Sequence, residues 1–255
     1  MKLSIDGVTL SYASVPVLHG ISMEFCEPGV VGIIGPNGAG KSTLLRCINH
    51  VLTPKGGAVC LDGKKTRDMD AVEIARNFGY VPQEFPITFQ ATVFDTVLMG
   101  RRPFSSWRVS RDDVEITGAA LKLLNLEQVA LRYHSELSGG QQQKVLIARA
   151  LAQQSRVLLL DEPTSKLDIR HQLEVMDIIR SLVDERGLLS ILVIHDLNLA
   201  SRYADRLIML KEGKIYAAGD PASVLTKNNI RAVYGVEAAV VFDDDLPHII
   251  PKKPV

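Results

Sequence analysis

The stretch Val30-Val-Gly-Ile-Ile34 followed by Gly35-Pro-Asn-Gly-Ala-Gly-Lys-Ser42 decides the fold of this 255-residue chain. The first five residues are apolar without alternation, the pattern of a short strand buried on both faces. Thr43-Leu-Leu-Arg-Cys-Ile-Asn49 then has the composition of a helix. The segment between them fits G-x-x-x-x-G-K-[ST], a loop whose successive backbone N–H groups form a nest for an anion at a helix start. Gly35, Gly38 and Gly40 let the main chain approach phosphate where a Cβ would clash. Lys41 supplies a point charge for the β and γ phosphates, and the Ser42 hydroxyl is a ligand for Mg²⁺. A strand, a phosphate loop and a helix in that order predict an α/β protein that binds a nucleoside triphosphate.

Kinases, GTPases and motor ATPases share this loop, so the acidic partner of the metal matters next. Val157-Leu-Leu-Leu160 ends in Asp161 and Glu162. This places two carboxylates at the carboxyl end of a buried strand, where ligands bind in an open parallel sheet. Asp161 is expected to hold Mg²⁺, and Glu162 to polarise an attacking water as general base. A third stretch, Leu137-Ser-Gly-Gly-Gln141, precedes a helical run with apolar residues at Val145, Ala148 and Leu151 or Ala152. Ser138, Gly139 and Gly140 therefore stand at a helix N-terminus, which favours an anion.

Together these residues resemble the nucleotide-binding subunit of an ATP-binding-cassette (ABC) transporter, over essentially the whole chain. The order of Tyr12, the phosphate loop, Gln83 in Tyr80-Val-Pro-Gln, the Leu137–Gln141 signature, Asp161-Glu162, Ser165-Lys-Leu-Asp168 and His195 in Val193-Ile-His-Asp196 is that of the family. The resemblance implies ATP and Mg²⁺ as cofactors, with Gly35, Pro36, Asn37, Gly38, Ala39, Gly40, Lys41, Ser42 and Thr43 around the phosphates. It implies that Tyr12 stacks on adenine, the alternative being an ordinary strand tyrosine. It makes Glu162, His195, Gln83 and Lys41 the catalytic set, with Ser42, Gln83 and Asp161 at the metal. In the family, Ser138, Gly139, Gly140 and Gln141 face the γ-phosphate of another subunit, which implies a head-to-tail dimer sandwiching two ATP molecules. Relatives often carry Ala where this chain has Lys166, a residue expected to point to solvent. Asp168 is expected to cap a helix carrying Leu173, Met176, Ile179 and Val183, ended by Gly187.

The expected architecture is an α/β P-loop ATPase core with an antiparallel β subdomain and a smaller helical subdomain. Residues 1–86 and 157–224 form the core, 87–156 the helical part, and 225–255 a C-terminal extension without a catalytic motif. Lys211-Glu-Gly-Lys214 reads as a hairpin turn. With 29 basic and 29 acidic side chains the net charge is zero, which argues against a nucleic-acid partner. Cys26, Cys47 and Cys60 have no metal-binding spacing and read as thiols in a reducing cytosol. The start of the chain lacks a signal-peptide core, and no apolar run approaches a membrane span. The expected setting is thus the cytoplasmic face of a membrane, beside separate permease subunits that receive cargo from a periplasmic or extracellular binding protein.

Looser resemblances, over Val81–Pro103, Leu167–Val175 and the tail Val233-Tyr-Gly-Val-Glu with His248-Ile-Ile-Pro251, are to importers of iron–siderophore chelates, haem and cobalamin. Phe85, Phe89, Arg101 and Arg102 fall where relatives meet the permease, and bare aromatics favour a partner surface. The alternative is an ABC ATPase that serves a soluble machine rather than a transporter. Chromosome types need long heptad insertions that are absent here, and translation types carry two cassettes where this chain has one.

Overall fold

The computed structural model describes residues 1–83, 90–104, 108–165 and 167–255. Its chain divides into two compact units, Met1–Met69 with Leu189–Val255, and Asp70–Leu188. The first unit opens with β1 (Leu3–Tyr12), β2 (Val15–Phe25), β3 (Gly29–Ile34), α1 (Lys41–Ile48), β4 (Gly56–Leu61) and β5 (Lys64–Lys65). The second comprises α2 (Ala71–Asn77), β6 (Phe78–Val81), α3 (Val93–Leu98), α4 (Arg111–Leu123), α5 (Gly139–Ala152), β7 (Val157–Asp161) and α6 (Ile169–Arg186). The first unit then resumes with β8 (Leu189–Val193), α7 (Leu197–Tyr203), β9 (Arg206–Lys211), β10 (Lys214–Gly219), α8 (Pro221–Val224), α9 (Lys227–Tyr234), β11 (Val236–Asp243) and β12 (Leu246–Pro254).

In the first unit, β2-β1-β4-β5 form an antiparallel sheet. Leu3, Ile5, Val8 and Leu10 on β1 are buried while their neighbours are partly or fully exposed, the period-2 pattern of a strand with one wet face, shifted once by an irregularity between Ile5 and Val8. The other sheet of this unit runs β10-β9-β3-β8. Here β3 lies parallel to both β8 and β9, and every residue of β3 and β8 is buried, which explains why their sequences are apolar but for Ser190. Gly32 sits in tight packing: a Cβ there would stand 2.6 Å from Leu207 Cδ2, which would have to shift. The tail, without predicted elements, forms a β11–β12 hairpin whose turn residues Asp244 and Asp245 both have positive φ. Asn198 fastens it to α7, its Oδ1 accepting from Ile249 N at 2.8 Å.

In the second unit, β6 and β7 are parallel, in the register Val81↔Leu160. The expected caps are present: Asp168 accepts from His171 N at 2.9 Å, and Gly187 closes α6 at φ 62°. Arg101 departs from the sequence expectation of a docking surface. It is buried, its Nε donates to Asp113 Oδ1 at 3.0 Å, and its Nη1 donates to Ala152 O at 2.8 Å. Its guanidinium also lies 4.4 Å from the centroid of the Phe104 ring. Burial is tolerable because Nε meets a carboxylate and Nη1 meets two oxygens, Ala152 O and Gln154 Oε1. Phe85, Phe89 and Lys166 lie outside the described residues.

Candidate nucleotide site

The phosphate loop leaves β3 and closes on the first turn of α1, as its sequence predicts. Gly35, at φ 145°, has no room for a side chain: a Cβ would meet Leu210 O at 2.3 Å. Gly40, at φ 96°, is the N-cap of α1 and makes no side-chain cap, so the first-turn N–H groups keep their capacity to bind an anion. Behind the loop, the β9–β10 turn braces it through Gly213 N donating to Ala39 O at 3.2 Å. Lys41 is buried and its ammonium donates to Gly35 O at 2.8 Å and Pro36 O at 2.9 Å. Asn37 and Gly38 are exposed at the crest, while Ala39 and Thr43 are buried and Pro36 and Ser42 half-buried. The arrangement can trade carbonyl oxygens for phosphate oxygens at one fixed cation.

Two further candidates share this unit. The parallel register Ile33↔Val193 brings the chain ends of β3 and β8 out on one side, so His195 and Gly35 follow the same edge of the sheet. His195 is exposed, and Asp196 beside it caps α7 by accepting from Asn198 N and Leu199 N at 2.8 and 3.0 Å. Tyr12 ends β1 opposite Val15 with its ring 46% exposed, so its face is open to stacking. A residue that sequence reasoning missed is Tyr234, at the end of α9. Its hydroxyl takes a hydrogen bond from the backbone of Gly35, yet burial pushes its pKa up to about 12. The nearby Lys211 Nζ donates to Ala232 O at 2.9 Å.

In the second unit the register of β6 and β7, carried two residues further, sets Gln83 opposite Glu162. Gln83 Nε2 donates to Glu162 Oε2 at 2.7 Å. Glu162 has φ 54°, a left-handed conformation rare for a residue with a Cβ and common where function dictates backbone shape. Its carbonyl accepts from Ser165 Oγ at 3.1 Å, turning the chain sharply after the strand. Asp161, the last residue of β7, is fully buried. Among the described residues no cluster of three or more His, Cys, Asp or Glu could hold a metal. The oxygens of Asp161 and Gln83 in this unit are of the hard type that Mg²⁺ takes, an ion usually bound mainly by phosphate and water.

Ser138 caps α5, its Oγ accepting from Gln141 N at 3.3 Å while Gln141 Oε1 accepts from Ser138 N at 3.2 Å. This reciprocal box explains the serine and the glutamine of the pentad. A cleft of about 510 Å³ beside it is lined by Ser138, Gly140, Gln141, Lys144, Leu167 and Glu174, among others. Lys144 and Glu174 were also missed by sequence reasoning. Lys144 lies four residues before Ala148 and seven before Leu151, on the apolar stripe, and that position was the available signal.

A model of the ABC transporter family matches residues 18–165, from β2 through the carboxylates at the end of β7. The chain belongs to the ABC transporter family. An ABC transporter ATP-binding protein of Methanocaldococcus jannaschii, uncharacterised, is 51% identical over 251 residues, 98% of both chains. A cobalamin import ATP-binding protein of Halobacterium salinarum is 39% identical over 95% of this chain, which spans 61% of that relative's length. The petrobactin import ATP-binding protein of Bacillus anthracis is 38% identical, with 98% of this chain and 93% of that one covered. Among solved structures, a metal-chelate type ABC transporter in an inward-facing conformation matches with a TM-score of 0.85 at 27% identity, covering 98% of this chain and 97% of that one. A dimeric ATP-binding cassette bound to ADP and phosphate, in a post-hydrolysis state, matches at 0.79 with 31% identity, covering 86% and 98%. The fold is thus that of an ABC ATPase, and the chain is an ATP-binding enzyme of that class.

Proposed function

We propose that the chain is the ATP-hydrolysing subunit of an importer whose cargo is an iron chelate, haem or cobalamin. The observation that carries this reading is the capped helix start at Ser138–Gln141, an anion-favouring terminus separate from the phosphate loop. One loop and one such terminus per chain call for two copies arranged head to tail, each completing the other's nucleotide site. The dimeric cassette with ADP and phosphate supports that arrangement, and the relatives' names support the import role and the cargo class.

In this reading Gly35–Thr43 hold the triphosphate, Tyr12 stacks on adenine, and Asp161 with Ser42 and Gln83 holds Mg²⁺. Mg²⁺ held there would supply charge neutralisation to the phosphates. Glu162 takes the proton of the attacking water, Lys41 and His195 steady the γ-phosphate, and Gln83 orients the Glu162 carboxylate through its Nε2 donor. Residues 87–156 form the helical subdomain that joins the signature to the permease, and 225–255 a C-terminal extension. Among the described residues no helix is long and apolar enough to cross a membrane. In this reading a separate permease supplies the path, as the relatives' import names suggest. The subunit works at the cytoplasmic face, and a binding protein delivers cargo from the other side.

The test is Glu162→Gln with Mg-ATP, assayed for turnover and by sizing chromatography in the presence of the permease. Turnover falls about 10²- to 10⁴-fold, the usual worth of a general base, and an ATP-dependent dimer accumulates. A variant with undiminished turnover and no dimer refutes the reading. Stimulation of the ATPase by permease and binding protein loaded with an iron chelate, haem or cobalamin tests the cargo class.

A further inference from the structure

Lys144 is a cation at a position the sequence pattern reserves for an apolar side chain. It is buried on α5, and its Nζ donates to Glu174 Oε2 on α6 at 2.9 Å. The other carboxylate oxygen, Oε1, accepts from Arg170 Nε at 3.0 Å. Lys144 and Arg170 together hold the Glu174 carboxyl below its ordinary pKa, against the opposing effect of its own desolvation. An ion pair with one nearly dry partner is retained at a cost, which asks for a reason beyond stability.

The reason lies in what the two helices carry. Gly140, one helical turn before Lys144, faces Leu167: a Cβ on Gly140 would lie 3.2 Å from Leu167 Cδ2. Gln172 Nε2 donates to Thr164 O at 3.2 Å and to Leu167 O at 3.1 Å, fixing the segment after Glu162 to the first turns of α6. Two residues further along α6, Glu174 returns to Lys144. The contacts close a ring through the signature turn, Leu167, Gln172, Glu174 and Lys144.

We propose that Glu174, through Lys144, is a positioning residue that makes the signature helix start and the segment after Asp161-Glu162 move as one piece when two cassettes close. The inference rests on the dimer reading above and names the device that keeps both interface elements in register. A closed ring of packed and ion-paired groups ties together the elements it joins, so that a displacement of one is carried to the other.

The experiment compares wild type, Glu174→Gln, Lys144→Arg and the double variant Lys144→Met/Glu174→Gln, each as the full chain with its permease. Thermal melting, ATP binding without magnesium, and KM against kcat are measured on each. The double variant removes both charges at similar volume, so it melts close to wild type and binds ATP normally. Its kcat nevertheless falls about three- to thirtyfold with KM little changed, the range of an energetic coupling between sites. Lys144→Arg keeps the pair and keeps turnover. Glu174→Gln alone loses both turnover and thermal stability.

Wild-type kcat in a double variant of wild-type stability overturns the proposal, because the pair would then be structural only. Wild-type protein that neither hydrolyses Mg-ATP nor dimerises would overturn the nucleotide reading beneath it, and this inference with it.

Discussion

Replacing Arg101 by methionine tests whether this residue belongs to the interior. Methionine fills most of the volume but removes the bonds to Asp113, Ala152 and Gln154. Asp113 is only 4% exposed, and although Ser110 still serves its Oδ2, the buried carboxylate would lose the guanidinium that pairs with it. Breaking a buried ion pair from one side costs about 3–5 kcal/mol. For a chain of this size each kcal/mol lowers Tm by about 2–4 °C, so the expected drop is roughly 6–20 °C. Urea and thermal melts of wild type, Arg101→Met, and Arg101→Met/Asp113→Asn provide the assay, with Arg111→Ala as a control on the exposed Arg111–Glu115 pair. The double variant recovers most of the loss because no lone charge remains, and the control is indistinguishable from wild type. A loss below about 1 kcal/mol for Arg101→Met refutes the reasoning, since solvent must then reach the pair in the folded protein.

Two further outcomes follow from the site geometry. In Gly35→Ala the methyl group collides with Leu210 O at a φ unsuited to alanine; strain of about 1–3 kcal/mol placed on the phosphate loop weakens ATP binding about tenfold or more, measured by titration calorimetry, with the fold intact by circular dichroism. His134, buried just before the signature, has its pKa pushed below 6.5, chiefly by burial and further by Arg149, against a contribution from the Gln142 backbone. The unfolded chain binds the extra proton first, so the stability His134 contributes is complete above about pH 6.5 and is lost as pH falls toward its folded pKa. The Tm of wild type therefore declines more steeply below neutrality than that of His134→Gln; parallel curves would exclude it.

The parts of the fold legible in the sequence are those where one local pattern has one meaning. Val30–Ile34 and Val157–Leu160 are unbroken apolar runs and are buried strands. Asp168 and Gly187 are cap residues acting as caps, and Ser138 stands at a helix start as its sequence implies. The tail hairpin was illegible because Pro247, Pro251 and Pro254 suppress the strand signal, and its turn uses Asp244-Asp245 in place of the usual Asn-Gly. Helix α2 buries none of its residues, so it leaves no apolar stripe to detect. Arg101 was misread and Lys144 missed for a shared reason: nothing local shows the anion that lets a cation be buried. Their partners lie twelve and thirty residues away, on other helices. The Gln83–Glu162 pair was foreseeable only through the family order, since strand register and not spacing joins them.

The posture of Lys41 bears on how the phosphate loop tells ligands apart. Its ammonium is already dry and already satisfied by Gly35 O and Pro36 O. The desolvation of that charge therefore falls on folding, and an incoming ligand meets a competitor rather than a bare cation. A neutral group offers the lysine nothing that the two carbonyls do not already give, whereas phosphate oxygens carry full charge and make the stronger bond. The loop is in this sense self-inhibited, and charge density is what releases it.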